Sequence, residues 1–260
     1  MSRILEKELE AALEAARLGG QILKDKAGNV GQIQKKGEID LVTDADILSE
    51  KALIEVLGRD FPEDEILTEE SQGRAGNSGR VWILDPLDGT TNFAHGFPVY
   101  AVSIGLWADG RMMLGVVLNP VADEEFTAVR GQGAFLNGRP MRVSRTESLK
   151  DALLATGFPY DIQQNPGRIL RNFEKLILRS RGVRRPGSAA VDLCYVAAGR
   201  FDGFWEERLH PWDTAAGALL VEEAGGAVTS FEGRPYNPWD KSIAAGNPLI
   251  HREVLEVLQS

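Results

Sequence analysis

Apolar residues at Leu5, Leu9, Leu13 and Ala16 recur at helical spacing with charges between them, which predicts an amphipathic helix over Ile4 to Ile22, ended by Gly28 and Gly31. The stretch Gln32 to Thr43 alternates imperfectly around Lys35-Lys36-Gly37-Glu38 and reads as a short hairpin. It forms a polar flap in front of a helix that Thr43-Asp44 can cap and that runs to about Leu57. Short apolar runs at Glu65 to Thr68 and Val81 to Leu84 end in acids, as strands carrying functional groups at their ends would, with Ser71 to Gly79 as a loop between them. Val99 to Leu106 and Met112 to Leu118 flank Ala108-Asp109-Gly110, a hairpin signal, and strands broken by Gly131, Gly133 and Gly138 continue from Glu125 to Val143. The first half, to about residue 145, therefore predicts an antiparallel sheet.

From about residue 146 the pattern alternates between strands and helices. Leu153 to Thr156 reads as a strand, Ile169 to Leu178 as a helix, and Gly187-Ser188-Ala189-Ala190 opens another helix through Ala198. Phe201 to Glu206 follows as a strand, and Pro211-Trp212-Asp213 starts a helix that Gly225-Gly226 stops. Strands at Ala227 to Thr229 and Ile243 to Ala245 and a terminal helix after Pro248 complete the chain. No repeat, linker or low-complexity tract interrupts it. The expected fold class is a layered α/β (α+β) globule, residues 1–260 forming a single domain in two sub-halves.

The 260 residues, 43% of them hydrophobic, suffice for a sizeable core. A net charge of -9 argues against a nucleic-acid surface, which clusters Lys and Arg. The one cysteine, Cys194, lies among apolar residues and reads as a packed thiol in a reducing compartment. No signal-peptide block and no run of the ~20 apolar residues a membrane span needs is present, so the expected location is cytoplasmic.

Candidate chemistry concentrates in Leu84-Asp85-Pro86-Leu87-Asp88-Gly89-Thr90-Thr91-Asn92. Two acids three apart straddle a proline, and a glycine follows that permits a sharp turn into a helix. The reading is a turn with both carboxylates and the Leu87 carbonyl on one side, the oxygen donors a hard divalent cation such as magnesium takes. If a helix starts at Thr90, its free N–H groups with Gly89 form an anion cradle. Glu69, in Thr68-Glu69-Glu70-Ser71, ends the preceding strand and can converge with Asp85, one carboxylate bridging metals. Taken singly, each acid also fits a plainer role: a surface turn for Asp85 and Asp88, a solvated loop start for Glu69, and dipole complementation in a helix's first turn for Asp46 and Asp213.

Taken together, the motif at 84–92, Thr68-Glu69-Glu70-Ser71, Trp212-Asp213-Thr214-Ala215-Ala216-Gly217, Asp40-Leu41-Val42-Thr43-Asp44-Ala45-Asp46 and Gly187-Ser188-Ala189-Ala190 resemble the inositol monophosphatase family of lithium-sensitive sugar phosphatases over nearly the whole chain. The resemblance implies an α-β-α-β-α sandwich, a homodimer, and magnesium held by Glu69, Asp85, the Leu87 carbonyl, Asp88 and Asp213. It implies that Asp46, Thr90 and Glu69 are catalytic, a metal-associated water polarised by Thr90 and Asp46 attacking phosphorus directly. For the substrate it implies Asp88, Gly89, Thr90, Gly187, Ser188, Ala189, Glu206 and Asp213, with Ser188 standing where many relatives carry threonine. The expected activity is hydrolysis of inositol 1-phosphate or another small phosphorylated polyol or sugar. The alternatives are fructose-1,6-bisphosphatase or dual specificity, histidinol phosphatase, nucleotide 3′-phosphatase, or a regulatory binding protein that keeps the fold. Lys35 and Lys36 of the flap read as solvated. Arg168, Arg171, Arg179, Arg181, Arg184 and Arg185 read as a solvated helix face, with a second phosphate or the partner subunit as the alternatives.

Overall fold

The computed structural model describes residues 5–28, 33–35 and 41–260. Helix α1 (Glu6–Lys26) turns a stripe of Ala11, Ala12, Ala15, Ala16, Gly19, Gly20 and Leu23 inward, and its acidic first turn and basic last turn complement the helix dipole. Strands β1 (Ile33–Lys35) and β2 (Leu41–Thr43) pair antiparallel, as the flap pattern predicts. Gly31, Lys36 and Asp40 lie outside the described residues. Helix α2 (Asp44–Asp60) is capped by Thr43, whose hydroxyl accepts from the Ala45 N–H while Asp46 accepts from the Thr43 N–H, a reciprocal capping box.

A seven-stranded sheet follows in chain order: β3 (Glu65–Thr68), β4 (Val81–Asp88), β5 (Ala101–Ala108), β6 (Arg111–Asn119), β7 (Glu124–Val129), β8 (Gly133–Leu136) and β9 (Arg139–Pro140), with the short helix α3 (Thr90–Ala94) after β4. β3 and β4 run parallel and the other pairs antiparallel. The β5–β6 turn has φ of 53° at Asp109 and 73° at Gly110, the two left-handed positions a tight hairpin requires.

The second half builds a five-stranded sheet from β10 (Leu153–Thr156), β11 (Gly182–Arg184), β12 (Gly203–Glu207), β13 (Ala227–Thr229) and β14 (Ser242–Gly246), ordered β11-β10-β12-β14-β13. Helices α4 (Gly167–Ile177), α5 (Ala189–Ala197), α6 (Pro211–Glu223) and α7 (Pro248–Leu258) connect and close it. The layers run α1 and α2, the seven-stranded sheet, α5 and α6, the five-stranded sheet, then α4 and α7. The apolar core between the two sheets takes Ile83, Val117 and Phe126 from one sheet and Phe204 and Ile243 from the other, with Leu193 and Leu219 of the middle helices between them. Cys194 is buried in the same layer.

Two expectations are corrected. The arginine-rich stretch is not one helix face: only Arg168 and Arg171 lie on α4, and Gly182-Val183-Arg184 is a strand too short and too polar to show a period. The segment Asp85-Pro86-Leu87-Asp88 is not a turn but the end of β4, where the register with β5 shifts between Asp85 and Asp88. Trp82 and Leu84 face the α1–α2 core and Ile83 faces the middle layer. In a regular strand, residues an odd number apart point to opposite faces. The irregularity returns Leu87 to the core of Trp82 and Leu84, so Asp88 joins Asp85 on the middle-layer side. Pro86 costs little there because its missing N–H falls at the interruption of the ladder, and its carbonyl accepts from the Ser49 hydroxyl at 2.9 Å.

Glycines set how deeply α6 sits. Gly105 and Gly115 are paired across β5 and β6, and a Cβ at Gly115 would lie 2.8 Å from the Ala216 carbonyl oxygen. A Cβ at Gly105 would lie 3.2 Å from that of Ala215, and one at Gly217 would meet Leu193 of α5 at 2.6 Å. The backbone of α6 therefore rests almost directly on the sheet, which brings Asp213 in its first turn over the end of β4. Gly115→Ala is expected to lower stability by about 1–3 kcal/mol through overpacking. Urea unfolding measures the loss, and divalent-ion titration of the folded variant should show weaker binding because Asp213 moves with α6.

Candidate active site

Four helix amino ends gather the acids. Asp46 is the third residue of α2 and Asp213 the third of α6; each also caps its own helix, Asp213 Oδ2 accepting from the His210 N–H at 2.7 Å. The first-turn role and a place in the site thus coexist in the same side chain. Asp88 Oδ2 accepts from the Ser188 hydroxyl at 2.6 Å and from the Ala190 N–H at 2.7 Å, so it satisfies the amino end of α5. Gly89, with φ of 97°, turns the chain from β4 into α3; a Cβ there would lie 3.0 Å from the Val99 carbonyl oxygen.

One oxygen each of Asp85, Asp88 and Asp213 lies within 4.8 Å of the others. Asp85 is buried, and its carboxyl is held well above the ordinary range, first by burial and then by the charges of Glu69, Asp88 and Asp213. Burial pushes Asp88 up to about 6 against the opposing hydrogen bonds from Ser188, Ala190 and Ala189. Asp213 is raised by burial and then by Asp88. Acids that repel each other in a shared pocket, with backbone donors behind them, form an oxygen donor set suited to a divalent cation. Glu69 and Leu87 line the same cavity. Glu69 is carried there by the end of β3, which the buried Glu50 holds by accepting from the Thr68 hydroxyl and the Glu70 N–H.

Asp46 is buried at the edge of this group. Its Oδ1 accepts from the Thr90 hydroxyl at 3.0 Å, and the same hydroxyl lies 3.0 Å from the Leu87 carbonyl oxygen. Burial raises Asp46, and hydrogen bonds from Thr43 and Thr90 oppose the rise.

The cavity, of about 390 Å³, continues past Gly187, Ser188 and Ala189 to Glu206. Glu206 ends up buried on β12 opposite Gly157, where a Cβ would lie 2.2 Å from its Oε2. Its carboxyl is pushed up to about 8 by burial, with Arg185 opposing. All the candidate site residues thus border one cavity except Asp46, which reaches it through Thr90. For Lys35 and Lys36 the expectation falls on side chains outside the described ones.

Several groups went unread in the sequence. Asn92 donates to the Val99 and Pro186 carbonyls at 2.7 and 2.8 Å and ties α3 to the loop before α5. Its place in the motif was the available signal. Asp192, Arg208, residues 157–160 and Ile162 also line the cavity, as does Arg185, which the sequence placed on a solvated helix face with a second phosphate or the partner subunit as alternatives. Nothing local in the sequence distinguishes them, since only the packing of distant elements brings them there.

The chain is thus a two-sheet α/β sandwich with an acidic group able to hold a metal ion. It belongs to the inositol monophosphatase family, whose model matches residues 4–260. Among relatives, the protein called inositol-1-monophosphatase in Synechocystis sp. is 45% identical over 98% of this chain and 89% of its own length. The protein called Nus factor SuhB in Pseudomonas aeruginosa is 44% identical over 98% and 97%. Among solved structures, extragenic suppressor protein SuhB from Bartonella henselae superposes with a TM-score of 0.93 at 44% identity, covering 97% of this chain and 98% of that one. Inositol monophosphatase from Anabaena gives 0.89 at 42% identity, covering 98% and 96%. No helix among the described residues is long and apolar enough to cross a membrane.

The raised carboxyls fix a sign for pH dependence. Without a divalent ion, Asp88 at about 6 and Glu206 at about 8 hold protons in the folded state that the unfolded chain has already released. Their contribution to stability is complete below the ordinary carboxylate pKa and is lost as pH rises through about 6 to about 8. A cation replaces the protons on the acids it binds. The gain in Tm from added magnesium over EDTA should therefore be larger at pH 8 than at pH 5.

Proposed function

We propose that this chain is a magnesium-dependent phosphomonoester hydrolase whose preferred ester is inositol 1-phosphate. The observation that carries the reading is the convergence of Asp85, Asp88 and Asp213 within 4.8 Å at one end of a 390 Å³ cavity. Magnesium bound by Glu69, Asp85, the Leu87 carbonyl, Asp88 and Asp213 would lower the pKa of water and neutralise charge on the phosphate and the departing alkoxide.

The chain's own groups do the positioning. Thr90 has one hydroxyl proton and two acceptors, Asp46 and the Leu87 carbonyl, each at 3.0 Å. When the carbonyl is engaged as a ligand, that proton goes to Asp46, and the Thr90 oxygen keeps a lone pair for the attacking water. Asp46 is itself fixed by the Thr43 N–H at 2.8 Å and the Thr43 hydroxyl at 2.5 Å, so the dyad is set before substrate arrives. Gly89 and Thr90, at the start of α3, and Gly187, Ser188 and Ala189, at the start of α5, offer their backbone to an anionic ester. Glu206 takes a hydroxyl of the alcohol part, and the cavity has the size for a six-carbon polyol.

Phosphate release from inositol 1-phosphate and fructose 1,6-bisphosphate, with and without magnesium, tests this. Magnesium-dependent turnover of the first ester is expected, falling by roughly 100-fold or more in Asp88→Asn. Preference for the bisphosphate would keep the chemistry and change the substrate. A separate arm addresses the dyad: Asp46→Asn should lower kcat more than it raises KM, and unchanged turnover would remove Asp46 from the reaction. The relatives named Nus factor make a blank result across esters informative, since it would favour a binding role for this chain.

A further inference from the structure

Three polar groups that line the cavity beside the acidic cluster have no hydrogen-bond partner among the described residues: Arg185, Asp192 and Glu206. Asp192 is the fourth residue of α5 and 1% exposed, and its Oδ1 is both buried and unpaired. Arg185, in the loop before α5, has its guanidinium 6.0 Å from the centre of the Phe158 ring. It also lies against Gly187, where a Cβ would be 2.6 Å from Nη1. The Arg185 charge opposes the rise of both Asp192 and Glu206, yet none of its nitrogens comes within the 4.0 Å of an ion pair with either. Donors and an acceptor thus face the same space without meeting.

Buried carboxylates in folded proteins are almost always satisfied, and leaving one unpaired is costly. The group that fits between must accept from a guanidinium and donate to a carboxylate. A phosphate dianion only accepts and offers no proton to the unpaired Oδ1 of Asp192; an ammonium only donates, and Arg185 would repel it. A hydroxyl does both. We propose that Arg185 and Asp192 form a hydroxyl-binding arm beside Glu206, one substrate hydroxyl bridging the two, and that this arm selects a polyol as the alcohol part of the ester. The inference rests on the phosphomonoesterase reading above and names its specificity-determining residues.

The test compares kcat/KM for inositol 1-phosphate with that for p-nitrophenyl phosphate, whose alcohol part carries no hydroxyl, in magnesium. Removing one charged hydrogen-bond partner should lower the ratio of the two about 10-fold or more in Asp192→Ala and in Arg185→Ala. The double variant should fall by less than the product of the single effects, because one hydroxyl spans both groups. Asp192→Asn preserves shape and one acceptor, so it should show a smaller drop with an unchanged Tm. An unchanged ratio in both alanine variants with an active wild type would overturn the arm and leave the hydrolase reading standing. A larger loss on fructose 1,6-bisphosphate than on inositol 1-phosphate in Arg185→Ala would overturn it in favour of an anion subsite. A wild type that releases phosphate from neither ester would remove the hydrolase reading itself.

Discussion

The site depends on one irregularity in a central strand. β4 carries an apolar run that is buried on both faces, and a regular continuation would send Asp85 to one face of the sheet and Asp88 to the other. The register shift between them puts both carboxylates on the side of α5 and α6 and lets Leu87 fill the opposite core. Proline, leucine and glycine in this segment each have a place in that geometry. Pro86 sits where no ladder donor is needed, Leu87 anchors the strand end, and Gly89 takes the left-handed conformation that starts α3.

Concentrating acids in this way raises their energy, and the surrounding structure offsets part of it. The amino end of α5 meets Asp88, and capping geometry takes one oxygen of Asp213 and one of Asp46. What remains is a set of carboxyls held above their ordinary range by burial and by one another. A divalent cation would relieve that repulsion, so the same energetic cost that makes these carboxyls unfavourable at high pH would favour binding one. The glycine contacts beneath α6 belong to this balance, because they fix how near Asp213 comes to β4.

The polar groups that line the cavity are of two kinds. Asp88 and Asp213 are met by backbone donors, whereas Arg185, Asp192 and Glu206 line the same cavity with no hydrogen-bond partner among the described residues. On the proposed reading, the groups that would hold a cation and the groups that would hold a hydroxyl are different side chains of one cavity, so the two roles can be tuned separately.

Much of this architecture could be read along the chain. The periodicity of α1, the helix start at Thr43-Asp44, the Asp109-Gly110 turn, the strands at Glu65–Thr68 and Leu153–Thr156 and the start of α6 at Pro211 are local matters, governed by side-chain spacing, backbone sterics and cap chemistry. Asp85, Asp88, Glu69 and Asp213 were legible as candidates because the separate motifs that carry them together resemble one family, whereas each acid taken singly also fitted a plainer role. The conversion of an expected acidic turn into a bulged strand was not legible, since it required the partner strand β5 and two apolar cores competing for Leu87. Nor were Asp192 and Gly157, which line one cavity with Glu206 only once the layers pack, and Arg185 was legible only as one member of an arginine-rich stretch. Sequence by itself determined which residues could carry the chemistry and which elements would hold them. Tertiary structure decided which of those groups share a face and which are left without partners, because facing and burial are properties of packed layers that no single segment possesses.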